Sequence, residues 1–128
     1  MKNFYIKVPW KYLLEKDFNT AYLKVWKETH KNWGYKISDM ARVQKPTDTI
    51  LADETGVYIA EFKMIKSNVL DIWQFEPWQM KAWRTVSWLC WRAIAIVYSI
   101  KFNRYKVLDF KDIIEKKDKW EMEIRLLF

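Results

Sequence analysis

Two carboxylates and an ammonium stand out by their setting. Asp48 follows Lys45-Pro46-Thr47, and Glu61 and Lys63 lie in Ala60-Glu61-Phe62-Lys63-Met64. Side chains alternate along an extended strand, so Val57, Ile59, Glu61 and Lys63 share one face, and Tyr58, Ala60, Phe62 and Met64 the other. Both faces are apolar over most of their length, which is the pattern of a central strand. Two charges on a covered strand are costly unless they pair or hold a metal. Asp48 precedes Glu61 by thirteen positions, with the polar turn Asp53-Glu54-Thr55-Gly56 between them. That turn folds one strand back on the other, and the spacing predicts the two carboxylates side by side across a short hairpin. Close carboxylates repel unless a cation lies between them. Mg²⁺ suits such a site, since it takes a few hard oxygen ligands and keeps several waters. An ammonium two residues further on can hold or activate a water, while the metal stabilises charge on a phosphoryl oxygen.

The elements that must position these residues follow from periodicity. Residues 11–33 read as a helix, with Leu13, Leu14, Phe18, Ala21, Tyr22, Val25 and Trp26 on one stripe and Gly34 as its stop. Tyr35–Val43 reads as a strand broken by Gln44-Lys45-Pro46, and Thr49–Ala52 and Val57–Met64 as the hairpin. Residues 67–74 read as a loop. Pro77 opens a second helix that runs to about Cys90. Ala93–Ile100 is a continuous apolar run, as a strand covered on both faces would be. Tyr105–Leu108 reads as another strand and Asp109 as the cap of a short helix through Glu115, while 119–128 fits either a last strand or a docked tail. This order predicts an α/β fold with a central mixed β-sheet flanked by helices, in one domain over residues 1–128.

At this point the chain resembles the PD-(D/E)XK nuclease superfamily, whose signature is a proline-x-aspartate followed by a hydrophobic strand ending in Glu-x-Lys. Helix, hairpin, helix and strand also follow that superfamily's restriction-endonuclease-like core order, α-β-β-β-α-β, over roughly residues 11–115. Lys-Pro-Thr-Asp at 45–48, Ala-Glu-Phe-Lys at 60–63 and Gln79 after Glu76-Pro77-Trp78 are similar to Holliday-junction resolvases of the RecU and Hjc type. The resemblance implies catalytic roles for Asp48, Glu61, Lys63 and Gln79. It implies a Mg²⁺ ion, replaceable by Mn²⁺, held by Asp48, Glu61 and Phe62, the last through its main chain because its side chain has no donor. The family usually carries a further acid in the first helix. Asn19 stands where that acid is expected, and Glu15, Asp17 and Glu28 are the available substitutes, with Glu15 preferred.

The composition agrees with a polyanionic partner. Lys and Arg number 23 against 16 Asp and Glu, a net charge of +7, which favours nucleic acid first and an anionic membrane second. Arg42, Lys45, Lys66, Lys81 and Arg84 flank the proposed site and are the expected phosphate contacts. A single cysteine, Cys90, excludes an internal disulfide, and with the single His30 leaves too few ligands for a structural zinc. Cys90 reads as a buried apolar residue and His30 as a surface or capping one. Lys7 and Pro9 interrupt the start before a signal-peptide core forms, and the longest aliphatic piece, Ala93–Ile100, is too short to cross a bilayer. A cytoplasmic location is expected, in the host cell if the chain is viral.

The leading expectation is therefore a metal-dependent, structure-selective DNA endonuclease acting on four-way junctions. A flap, end or restriction nuclease, or a non-catalytic nucleic-acid-binding module on the same fold, are the alternatives. A junction offers two symmetry-related strands to cut, so the resemblance implies a homodimer. Nine Trp in 128 residues agree, being more than one small core readily encloses. The row Trp73, Phe75, Trp78, Trp83, Trp88 and Trp91 is read mainly as core or interface, with base stacking as the lesser reading.

Overall fold

Strand β3, Gly56–Ile65, runs through the middle of a five-stranded sheet. The computed structural model describes residues 11–29, 32–37, 49–88 and 92–128. In chain order the elements are α1 (Glu15–Glu28), β1 (Trp33–Lys36), β2 (Thr49–Asp53), β3, β4 (Val69–Asp71), a 3₁₀ turn (Ile72–Gln74), α2 (Pro77–Trp88), β5 (Arg92–Ser99), β6 (Arg104–Asp109), α3 (Phe110–Asp118) and β7 (Glu123–Arg125). β3 pairs antiparallel with β2 and parallel with β5, and β5 pairs antiparallel with β6. The sheet is thus mixed and flanked by helices, as expected.

Alternation along the strands builds two cores. Tyr58, Ala60 and Phe62 of β3 join Ile94, Ile96 and Tyr98 of β5 and Phe18, Tyr22, Leu23 and Trp26 of α1. Ile59 and Ile65 join Ala93, Ala95 and Val97, together with Phe75, Met80 and Trp83 before and within α2 and Phe110 and Ile113 of α3. The α1 side is mainly aromatic. Phe18 stacks on Tyr98 at 4.7 Å and meets Phe62 edge-on at 5.9 Å, and Tyr22 meets Phe62 at 5.5 Å.

The hairpin turn is fixed by its own side chains. Asp53 Oδ1 accepts hydrogen bonds from Thr55 N (2.7 Å) and Thr55 Oγ1 (2.5 Å), an Asx-type turn. Gly56 follows at φ 144°, which side-chain-bearing residues rarely adopt. The ladder then runs from Asp53 opposite Gly56 to Thr49 opposite Ala60.

Three expectations need correction. The first helix covers Glu15–Glu28, not 11–33, because Thr29 is already extended (φ −74°, ψ 137°). Gly34 does not stop it but lies within β1. There a Cβ would come within 2.5 Å of Leu23 Cδ1 and 3.2 Å of Leu51 Cδ2, so the glycine permits close packing of α1. Residues 67–74 are not all loop, since Val69–Asp71 pairs with β7 in a second, two-stranded sheet. In the tail, that pairing makes Glu123–Arg125 a strand, and Leu126 beyond it docks into the core. Asp109 caps α3 as expected, accepting from Lys111 N at 2.9 Å. The strand expected to run to Val43 is seen only at Trp33–Lys36, and positions 38–43 lie outside the described residues.

Candidate active site

Glu61 sits on β3 opposite Ala95 of β5 and is only 3% exposed. A residue in mid-sheet with an odd number on this strand faces the α2 and α3 side, alongside Ile59 and Ile65. Lys63, two residues on, lies on the same face with its side chain 17% exposed. Its Nζ is 3.8 Å from Glu61 Oε1 and 5.4 Å from the Phe75 ring centroid. The pair partly offsets the cost of desolvating each charge. Phe75 in turn packs edge-on against Trp83 (5.4 Å) and Phe110 (5.8 Å), so the charged pair is backed by a rigid aromatic wall. Phe62 between them points to the opposite, α1 side and is fully buried there, leaving only its main chain available to the charged face.

Gln79 is 8% exposed in the first turn of α2. Its Oε1 accepts the Glu76 backbone N–H at 2.9 Å. That is the reach-back half of a capping box, with Glu76 at the N-cap, Pro77 at the first helical position and Gln79 at the third. Proline at that position and the Gln79 reach-back bond explain why α2 starts where it does. With Oε1 engaged, the amide NH₂ is the end of Gln79 that can donate to a ligand.

The first-helix position expected to carry an acid is occupied as the sequence says, by Asn19. It is buried, and Thr49 Oγ1 donates to its Oδ1 at 3.5 Å. This contact ties α1 to the first residue of β2. Glu15, the preferred substitute, begins α1 on its exposed side, and Asp17 is exposed as well. Asp48 lies outside the described residues, immediately before Thr49, as do Arg42 and Lys45 and also His30 and Cys90. Among the described residues no three His, Cys, Asp or Glu side chains gather. The donors in place are hard ones, a buried carboxylate on a central strand and the main chain beside it. They fit a divalent cation that prefers oxygen.

The remaining expected phosphate contacts are spread over the surface. Lys66 is exposed just beyond β3. Lys81 and Arg84 are exposed on α2 and line a groove of about 540 Å³ with Trp73, Pro77, Met80, Lys117, Asp118 and Trp120. Arg84 also pairs with Asp118 at 3.0 Å, and both are half in solvent, so the pair contributes little to stability. Of the aromatic row, Phe75 and Trp83 are core, whereas Trp73 and Trp78 are exposed, as are Trp33 and Trp120. Sequence reasoning missed Lys117 and Trp120. The run Lys116-Lys117-Asp118-Lys119-Trp120 is a basic stretch ending in an aromatic, and it lay where the tail's structure was undecided.

No helix among the described residues is long and apolar enough to cross a membrane. No protein-family model matches the sequence, and no curated protein matches it. Among solved structures, the chain is similar to Hjc of Archaeoglobus fulgidus, a Holliday junction resolvase from an archaeal hyperthermophile. The TM-score is 0.54 at 13% identity, over 76% of this chain and 74% of that one. The five-stranded mixed sheet with its flanking helices is thus a fold shared with that resolvase.

Proposed function

We propose that the chain is a metal-dependent, structure-selective DNA endonuclease and that its substrate is the four-way junction. The observation that carries this reading is the placement of Glu61 and Lys63. Glu61 is buried and Lys63 partly buried, 3.8 Å apart on the central strand of a fold shared with a junction resolvase. The hairpin supports the second carboxylate. Its last described pair is Thr49 with Ala60, and Asp48 and Glu61 are the next residue on each strand. In this reading the register continues one step, so that Asp48 would stand across from Glu61, the cation-binding arrangement the reading requires.

In this reading Asp48, Glu61 and the Phe62 carbonyl hold Mg²⁺. When bound, the ion supplies Lewis acidity, neutralising charge on the phosphoryl oxygen and acidifying water. The chain's own residues do the rest. Lys63, anchored against Glu61 and the Phe75 ring, would orient the attacking water and offset negative charge that develops on its oxygen. Gln79 donates its amide NH₂ to the scissile phosphate from a position locked by the α2 cap. Asn19 holds β2 through Thr49 and so positions the residue before it, rather than acting as a ligand. Lys66, Lys81 and Arg84, with Arg42 and Lys45, hold the phosphate backbones. Two copies of the chain would present two such sites to the two symmetry-related strands of a junction.

The test is to incubate the protein with a four-way junction, a flap and a linear duplex, in Mg²⁺ and in EDTA. Paired symmetrical cuts in the junction, dependent on Mg²⁺ and absent from the duplex, are expected. Cutting of the flap alone would move the substrate within the nuclease class. No cutting of any DNA with Mg²⁺ or Mn²⁺ would reject the reading.

A further inference from the structure

Helix α3 ends in a Schellman motif, with Trp120 N bonded to Lys117 O and Glu121 N to Lys116 O, each at 3.0 Å. The residue after the C-cap must enter the left-handed region, and glycine is its ordinary occupant. Here it is Trp120, at φ 60° and 78% exposed. A bulky residue in that conformation is strained, and burial does not compensate it. What the conformation achieves is a stack, since the Trp120 ring lies 5.7 Å from that of Trp73 at 28°.

Trp73 is held from several sides. Its backbone N–H donates to Asp71 Oδ1 and its indole N–H to Glu121 O, both at 2.9 Å, and Lys117 Nζ lies 4.9 Å from its ring centroid. The two indoles border the groove of about 540 Å³, whose charged lining is Lys81, Arg84 and Lys117 against Asp118 alone. A fixed aromatic platform edged by three cations and one carboxylate matches the two parts of a nucleotide, a flat base and a phosphate. A paired base inside a duplex offers no free face to it.

We propose that the Trp73–Trp120 groove is a second nucleic-acid contact, in which an unpaired base stacks on Trp120 and its phosphate lies among Lys81, Arg84 and Lys117. It rests on the reading of DNA as the partner and adds a preference for single-stranded segments. The strain at position 120 makes the proposal sharply testable, because Trp120→Gly should improve the fold while damaging the site.

The experiment uses the full chain in EDTA and follows the anisotropy of a labelled oligo-thymidylate and of a blunt duplex, with urea melts of each variant. Trp120→Gly should melt at higher urea than the wild type, bind the oligo-thymidylate about five- to hundredfold more weakly, and bind the duplex within about twofold of it. Trp120→Tyr should recover most of the lost affinity. Unchanged oligo-thymidylate binding by Trp120→Gly would overturn the proposal. So would self-association lost in that variant, or competition by poly-glutamate as strong as that by the oligo-thymidylate. Wild-type protein that binds duplex but not the oligo-thymidylate would sink the groove alone, and protein that binds neither would sink the DNA reading with it.

Discussion

The two faces of strand β3 do different work. Toward α1, Tyr58, Ala60 and Phe62 are sealed among Phe18, Tyr22, Trp26 and Tyr98, and the polar pair Asn19 and Thr49 is engaged with itself. Toward α2 and α3, the alternate positions place Glu61 and Lys63 among Ile59, Ile65, Phe75 and Trp83. A strand with period two can therefore fix the fold with one set of residues and carry charge on the other. The aromatic side supplies the burial that lets the opposite side hold a carboxylate and an ammonium, each of which costs stability when desolvated.

The largest expected effect lies on the α1 side. Phe18→Ala removes a fully buried ring that touches Tyr12, Tyr22, Phe62, Tyr98 and Tyr105. It should lower the free energy of unfolding by about 3–5 kcal/mol in a urea titration. A loss below about 1 kcal/mol would mean that this face is not the scaffold. Next comes Lys63→Met, on the α2 side. Single-turnover junction cleavage should fall by about 10²-fold, with junction affinity nearly unchanged and melting lowered, because the buried Glu61 carboxylate loses the Lys63 charge. If affinity fell and the rate at saturation did not, Lys63 would be a phosphate contact.

The smallest effect separates two roles of one residue. Gln79→Ala should destabilise the chain by ~1 kcal/mol by removing the acceptor for Glu76 N–H, whereas Gln79→Glu keeps that acceptor and should melt like the wild type. If Gln79 also donates to phosphate, both variants cleave several-fold more slowly. Full activity in Gln79→Glu would reduce the residue to a helix cap.

The contrast between the faces also explains what the sequence made legible. Alternation from Val57 to Met64 showed both faces, and the polar turn with Gly56 showed the hairpin, because those signals are local. Pro77 and Asp109 marked helix starts for the same reason. The β4–β7 pairing was not legible, since Val69–Asp71 and Glu123–Arg125 are three residues each and meet only through tertiary contact. Gly34 misled because a glycine after an apolar stripe looks like a helix stop, whereas here it admits Leu23 and Trp26 of α1 against β1. Within the candidate site, Glu61 and Lys63 were proposed from motif and strand position, and Gln79 from the motif alone. The groove at Trp120 was missed because its key feature is a backbone conformation, which composition does not reveal.

The account turns on Glu61 belonging to the chemistry rather than to the core around it. The most direct measurement is single-turnover cleavage of a four-way junction in Mg²⁺ by Glu61→Gln, with thermal melting and junction binding recorded on the same preparation. Cleavage should fall below about a thousandth of wild type. Melting should fall without loss of the fold, because Lys63 loses its charge partner, and junction affinity should be equal or greater, because a carboxylate no longer faces phosphate. Cutting at a near wild-type rate, or a loss of cutting that appears only with unfolding, would contradict the account.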